Sequence, residues 1–470
     1  MTDDEATMTA SAPATTGAAH CVALAYTQFA SPSNNTLRGC KWSPDGLCLL
    51  TASEDAMLRL FELPETLRSE VDLATRSPVV AGMNSEELPC ALEVRAGDAI
   101  YDYAWYPFMH SAQPASCCFL SSCRDHPIQL WDAYGGQRRA AYVAYNHLDE
   151  VVAAYSLCFN PTGDKIYAGF DRAVRIFDLS RPGRQCELRP TCATRKSRDG
   201  QRGIISCFAF APDRSGLFAA GSFSGTTGLY VENQPGLIQE LGAHGGGVTQ
   251  LAFSSDGRLL YSAARRDDEI RCWDVRMSGR VLCAFTRPSP TNQRIGFELV
   301  GAASSSGEVL LTASQDGRVL AYRTGAPDAP PTELLSFADA TNGVAMHPTL
   351  PLLAVAVGER RFPMVPSRAA TGDDGSDCSS SSDDSAASAA HSSSGAAIVG
   401  GRADADAAAG GSGEHDTEPE PASGEGYCSN GLSLWVVPRG AAAAALPPSQ
   451  HDAGGATAGG AAAEGVAGVV

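Results

Sequence analysis

Apolar residues in this chain come in short bursts that alternate with polar ones. The stretch 244–276, HGGGVTQLAFSSDGRLLYSAARRDDEIRCWDVR, shows the pattern in full. An apolar alternation runs through Val248, Leu251 and Phe253, and Ser254-Ser255-Asp256-Gly257 breaks it. A second run from Leu259 ends in the small residues Ser262, Ala263 and Ala264; a polar loop with Asp267 follows, and a third run, Glu269 to Asp274, closes on Trp273-Asp274. A period of two in runs this short predicts β-strands, with Asp-Gly supplying the tight turn.

The pattern recurs down the chain. Blade one spans Leu37–Glu62, with an outer strand near Leu88–Val94; blade two spans Ile100–Asp132 and blade three Val152–Asp178. Blade four is Ile204–Val231, blade five the stretch already described, and blade six Ile295–Thr324. Blade seven begins at Gly343, is interrupted over 363–431, and resumes at Leu432–Val437. The early apolar run 22–29 is expected to supply its fourth strand and so close the ring. Length, His and Trp-Asp ending together resemble WD repeats. The fold class expected is all-β, a seven-bladed WD-repeat β-propeller spanning 21–437. A disordered N-terminal tail (1–20), a disordered acidic insert (363–431) and an Ala/Gly-rich C-terminal tail (438–470) complete the organisation.

A loop Asp stands six residues before the terminal aromatic in five blades: Asp55, Asp125, Asp171, Asp267 and Asp316. Such a carboxylate can accept from backbone N–H groups of the turn between the second and third strands. In WD repeats it shares a hydrogen-bond chain with His, Ser and Trp, here His244, Ser262, Asp267 and Trp273. That role accounts for the residues without a catalytic triad. No GxxxxGK[ST], HExxH or GxSxG motif is present, so enzymatic activity is not expected and no cofactor is implied.

Composition adjusts this picture in three places. The 15 cysteines are scattered with no CxxC spacing, which argues for reduced thiols and against a zinc site. No apolar run approaches the roughly 20 residues of a membrane span, and the first residues lack the basic and apolar regions of a secretory signal. The formal charge of −18 is concentrated outside the blades: 363–431 holds 12 acidic and 2 basic residues. A local basic face therefore remains compatible with the total. Lysines are confined to positions 41, 165 and 196, and the other basic residues are arginines, which suit phosphate and base recognition; a GC-rich genome would give the same bias.

The segments between the repeats are more specific. YDYAWYPFMHSAQP (101–114), HPIQLWDAYGG (126–136), AYNHLDE (144–150), SRPGRQCE (180–187), RGIISCFAFAP (202–212), PTNQRI (290–295) and TNGVAMHPTLPLLA (341–354) closely resemble the telomerase Cajal body proteins, a family of WD-repeat RNA-binding proteins. The similarity runs in order from about Leu37 to Phe362 and resumes weakly at Leu432–Trp435. The resemblance implies a non-enzymatic scaffold that binds the Cajal-body box of H/ACA small Cajal-body RNAs and of telomerase RNA. It implies partners too: the dyskerin-type H/ACA core, the telomerase catalytic subunit and coilin. It implies a nuclear, Cajal-body location with some cytoplasmic protein. A propeller of high contact order is also expected to need a chaperonin. The competing reading is a protein–protein scaffold without RNA binding.

Loop RNA is read through splayed bases that stack on aromatic or guanidinium planes. In a WD propeller the second-to-third-strand loops and the lead-ins to each blade share one face. Here the loops carry Arg124, Arg172, Arg265, Arg266, Arg360 and Arg361, and the lead-ins carry Arg202 and Arg294. Tyr101, Phe170 and Phe223 are the candidate stacking platforms. For a single arginine the plain alternative is an ion pair with the neighbouring Asp, as Arg172 with Asp171. The connector 181–202, basic by composition, is a second candidate for phosphates. SDCSSSSDDS (376–385) suits an acid-directed kinase, and this insert could compete with RNA for the arginines.

Overall fold

The computed structural model describes residues 19–30, 35–69, 73, 87–194, 199–242, 244–277, 279–301, 308–360 and 430–437. The calls for a disordered tail, acidic insert and C-terminal tail fall on residues outside this set, apart from Ala19 and from His20, Asn430 and Gly431, the last three of which belong to strands. Arg361 also lies outside it.

The alternating runs form seven four-stranded antiparallel sheets in sequence order. In blade five the strands are Val248–Phe253, Leu259–Ala264, Glu269–Asp274 and Val281–Thr286. Gly257 adopts φ +71° in the first hairpin, a left-handed conformation that glycine takes without a steric cost. The ring closes as expected: His20–Ala25 pairs with Asn430–Val436, which pairs with Leu352–Gly358. The strand from the start of the chain is shorter than 22–29, because Thr27–Phe29 turn into a 3-10 helix that buries Phe29. The connector after blade three is not all loop. Glu187–Pro190 is that blade's outer strand. Blade three itself starts at Ser156; Val151–Val152 instead pairs with Ala144–Tyr145 in a small hairpin between blades two and three.

Why a ring and not seven separate sheets follows from where the apolar residues go. Among the described residues there are seven hydrophobic clusters, one at each junction between neighbouring blades. Leu260 and Trp273 of blade five pack on Leu229 and Leu241 of blade four, for example. Each fully buried large side chain contributes roughly 1.5–3 kcal/mol, so no blade retains its core alone. The junction between blades seven and one is fastened by side chains as well. Asn342 Nδ2 donates to the Leu37 carbonyl at 2.8 Å and Trp42 Nε1 to the Ala345 carbonyl at 3.0 Å. His347 Nε2 lies 2.9 Å from the Gly46 carbonyl.

Candidate nucleic-acid interface

The hairpin loops between second and third strands meet the lead-ins of their own blade or the next one. Arg124 N–H donates to the Ala99 carbonyl, Arg172 N–H to Gly203, Arg265 N–H to Gly247 and Arg266 N–H to Thr291, at 2.9–3.1 Å. All described arginines singled out from the sequence therefore lie on one face. They do not form an even rim. Arg265 and Arg266 of blade five, Arg294 before blade six and Arg360 of blade seven make one arc. Arg124, Arg172 and Arg202 stand across from it on blades two to four.

The arc surrounds the mouth of a central channel of about 500 Å³ lined by Arg38, Lys41, Arg294, Glu298 and Asn342, among others. Glu54 accepts from Arg38 and from Arg360, each at 2.8–2.9 Å. Asp102 faces Lys41 at 3.6 Å and Arg294 at 3.5 Å, and its second oxygen accepts from Leu157 N–H at 2.9 Å. Asp102 thus ties blades one, three and six to blade two across the channel. Two carboxylates serve four cations here, so positive charge is in excess at the mouth.

Arg265 lies outside these pairs. Its guanidinium sits 4.4 Å from the ring centre of Phe223, and its buried Nε has no hydrogen-bond partner. Burial, then the like charges of Arg294 and Arg38, lowers its pKa. Lys41 is pulled down by burial, against Asp102. Deeper in the channel, burial pushes the Glu298 carboxyl up to about 7, although Met346 N–H donates to it at 2.5 Å.

The remaining candidates differ. Arg172 pairs with Asp171, and the Arg202 carbonyl accepts from the Ser224 hydroxyl at 2.7 Å. Arg124 is exposed, and the Tyr101 hydroxyl beside it, with Asp98, raises its pKa. Tyr101 stacks on Tyr155 at 5.0 Å between ring centres. Phe170 is not a platform. It is 6% exposed, packed between blades two and three, with Arg175 lying over its ring at 5.2 Å.

The WD network is complete in blade five. His244 Nδ1 meets Asp267 Oδ2 at 2.7 Å, His244 Nε2 meets Ser262 Oγ at 2.7 Å, and Trp273 Nε1 donates to Ser262 Oγ at 2.8 Å. The indole donation leaves the Ser262 hydroxyl free to donate to Nε2, which fixes a neutral imidazole with its proton on Nδ1. Burial lowers the His244 pKa against the pull of Asp267. Asp267, Asp55 and Asp316 each accept from the N–H two residues on, Glu269, Met57 and Arg318, at 3.0–3.3 Å. Asp125 and Asp171 do not, which corrects the expectation that all five loop carboxylates are equivalent. The residue two beyond Asp125 is Pro127, which has no N–H. Asp171 sits in a two-residue hairpin, between paired Phe170 and Ala173.

Sequence reading missed Arg38, Lys41, Asp102, Tyr155 and Arg287. Arg287 is fully buried and donates to the carbonyls of Ile295 at 3.0 Å and Gly296 at 3.1 Å and to Thr312 Oγ1 at 2.8 Å, with Asp267 and Asp268 acting on it only at longer range. Burial lowers its pKa to about 9. It shapes the segment that presents Arg294. Charged residues inside otherwise apolar strands, as in LRGCKW and IYDYAW, were the available signal. Among the described residues no cluster of His, Cys, Asp and Glu is set to hold a metal, and no helix is long and apolar enough to cross a membrane.

The fold and its repeats define a WD-repeat β-propeller, and the model described as "WD domain, G-beta repeat" matches residues 26–62, 142–178 and 236–274. Telomerase Cajal body protein 1 of Mus musculus is 45% identical over 359 residues, covering 74% of this chain and 63% of that protein. The Homo sapiens protein of that name is 44% identical over 360 residues, covering 75% and 62%. The Drosophila melanogaster homologue is 34% identical over 346 residues, covering 72% and 59%. The chain is a homologue of telomerase Cajal body protein 1. It spans a little under two thirds of the length of these relatives.

Proposed function

We propose that this propeller is a non-enzymatic RNA-binding scaffold that recognises the Cajal-body box of H/ACA small Cajal-body RNAs and of telomerase RNA and directs those particles to Cajal bodies in the nucleus. The observation that carries the reading is the arginine arc at the channel mouth, where cations outnumber carboxylates. A guanidinium plane stacks on a splayed base or grips a phosphate, and Tyr101 on Tyr155 adds an aromatic ledge on the same face. The relatives' names give the location and the telomerase connection. The dyskerin-type core, the telomerase catalytic subunit, coilin and a folding chaperonin are the partners this reading assigns.

The test is crosslinking and sequencing of RNA bound to the full chain in its own cells. The expected result is a set of H/ACA RNAs sharing a short loop motif, with recovery reduced at least tenfold by the Arg265→Ala, Arg266→Ala double variant. Background RNA with a clean set of protein partners would replace this reading with the protein–protein scaffold. The ion pairs Arg172–Asp171 and Arg360–Glu54 are the observations that favour that second reading.

A further inference from the structure

Most arginines on this face meet an acid or a hydroxyl, and Arg265 does not. Its main-chain N–H is bonded to the Gly247 carbonyl at 2.9 Å, but its guanidinium has only the Phe223 ring beneath it at 4.4 Å. An arginine at this depth without a carboxylate is costly, and the cost rises when two more guanidiniums face it. Arg294 and Arg38, both on the channel wall, act on Arg265 through their like charge, and their own acids, Asp102 and Glu54, are shared with Lys41 and Arg360. The local geometry is locked in place. A Cβ on Gly246 would stand 1.8 Å from the Arg265 carbonyl oxygen, and one on Gly247 would stand 2.9 Å from the Phe223 Cα. The glycine run of HGGG lets the lead-in of blade five press against both members of the stack. Phe223 and Arg265 are thereby fixed before any ligand arrives.

Resting on the RNA reading above, we propose that the channel mouth between blades five, six and one is a phosphate subsite. Arg265 receives a phosphate oxyanion through its unpaired N–H fork, and Arg294 and Arg38 flank it. The stack on Phe223 holds the guanidinium plane, so little side-chain freedom remains to be lost on binding. The ligand chemistry is a phosphate dianion or phosphodiester. The RNA backbone is its first source and free inorganic phosphate the second.

The experiment measures binding of the full chain to the loop RNA recovered by crosslinking, across a salt series, for wild type, Arg265→Gln and Arg265→Lys. Arg276→Gln, which alters the opposite face, is the charge-matched control. The same proteins are melted in inorganic phosphate and in chloride at equal ionic strength. Arg265→Gln is expected to weaken RNA binding roughly ten- to hundredfold, with Arg265→Lys in between. Its slope of log K against log salt should be shallower by about 0.7, the value of one single-strand phosphate contact. One methylphosphonate in the RNA should weaken wild type and leave Arg265→Gln unaffected. Its melting temperature in chloride should equal or exceed that of wild type, because the uncompensated cation is gone. Wild-type affinity and slope in Arg265→Gln would overturn the subsite and leave the RNA reading intact. If wild type binds no RNA, the RNA reading falls. The subsite then stands only on a phosphate-specific rise in melting temperature that Arg265→Gln loses, and it falls with the RNA reading if no such rise is seen.

Discussion

In blade five the carboxylate of Asp267 is held by a histidine, and in blade one the carboxylate of Asp55 is held by Asn35 and Arg59. Asn35 Nδ2 donates to Asp55 at 3.0 Å and Asp55 N–H donates back to Asn35 Oδ1 at 3.1 Å. Ser53 lies 2.6 Å from Asp55, as a hydroxyl partner. Arg59 Nη1 donates to Ser53 Oγ at 2.7 Å, the bond that Trp273 makes to Ser262 in blade five. Both hairpins thus have a carboxylate on the N–H two residues on, a hydroxyl on the second strand and a buried donor behind it. The unit that repeats is this bonding scheme, and several residue sets satisfy it. Blade five does so mainly through a neutral histidine, with Arg271 standing off at 3.7 Å from Asp267, and blade one through a close ion pair, Arg59 to Asp55 at 2.7 Å.

The largest effect that would separate the two is loss of the histidine. His244→Ala leaves the half-buried Asp267 carboxylate and the buried Ser262 hydroxyl short of a partner, and should cost about 3 kcal/mol in urea unfolding. Arg59→Met breaks a pair whose members are 7% and 14% exposed and should cost about 2 kcal/mol by the same measurement. A subtler distinction lies in pH. The folded His244 pKa is below the ordinary 6.5, so the unfolded chain binds the proton more readily. Its contribution is complete above pH 6.5 and is lost as pH falls through the lower folded value. A thermal series from pH 7.5 downward should show this loss in wild type and not in His244→Asn, where blade five borrows the amide of blade one. The smallest effects belong to the carboxylates that cap nothing. Asp125→Ala and Asp171→Ala should each shift stability by less than about 0.5 kcal/mol, against 1–2 kcal/mol for Asp267→Ala. A large loss at Asp125 would show that position in the loop matters more than the bond it makes.

The comparison also explains how far the sequence could be read. Period-two runs, Asp-Gly turns and the spacing of Asp to aromatic located all seven blades, including the borrowed strand that closes the ring. The same spacing overreached at Asp125, although Pro127 stood in plain view two residues later and removes the N–H that the carboxylate needs. The arginine-bearing face was legible because loop direction in a propeller follows from strand order. The inner channel was not. Arg38, Lys41 and Asp102 occupy strand positions where the alternation reads as core, and only the ring brings blades one, two and six close enough for their charges to meet. Phe170 erred the other way. A strand-end aromatic looks available in sequence, yet the preceding blade covers it.

Blade seven is assembled from 341–358, 430–436 and 20–25, so its last seam pairs a strand made early in synthesis with one made more than 400 residues later. Until residue 436 has left the ribosome, the first strand has no edge to join. Six blades must then wait with both terminal edges open. An open edge strand is a template for another chain. The ring therefore gives the nascent protein a period of vulnerability set by translation time, at about 5–20 residues per second, and not by any local folding rate. A chain cut short anywhere before Asn430 would never leave that period, however sound its other six blades.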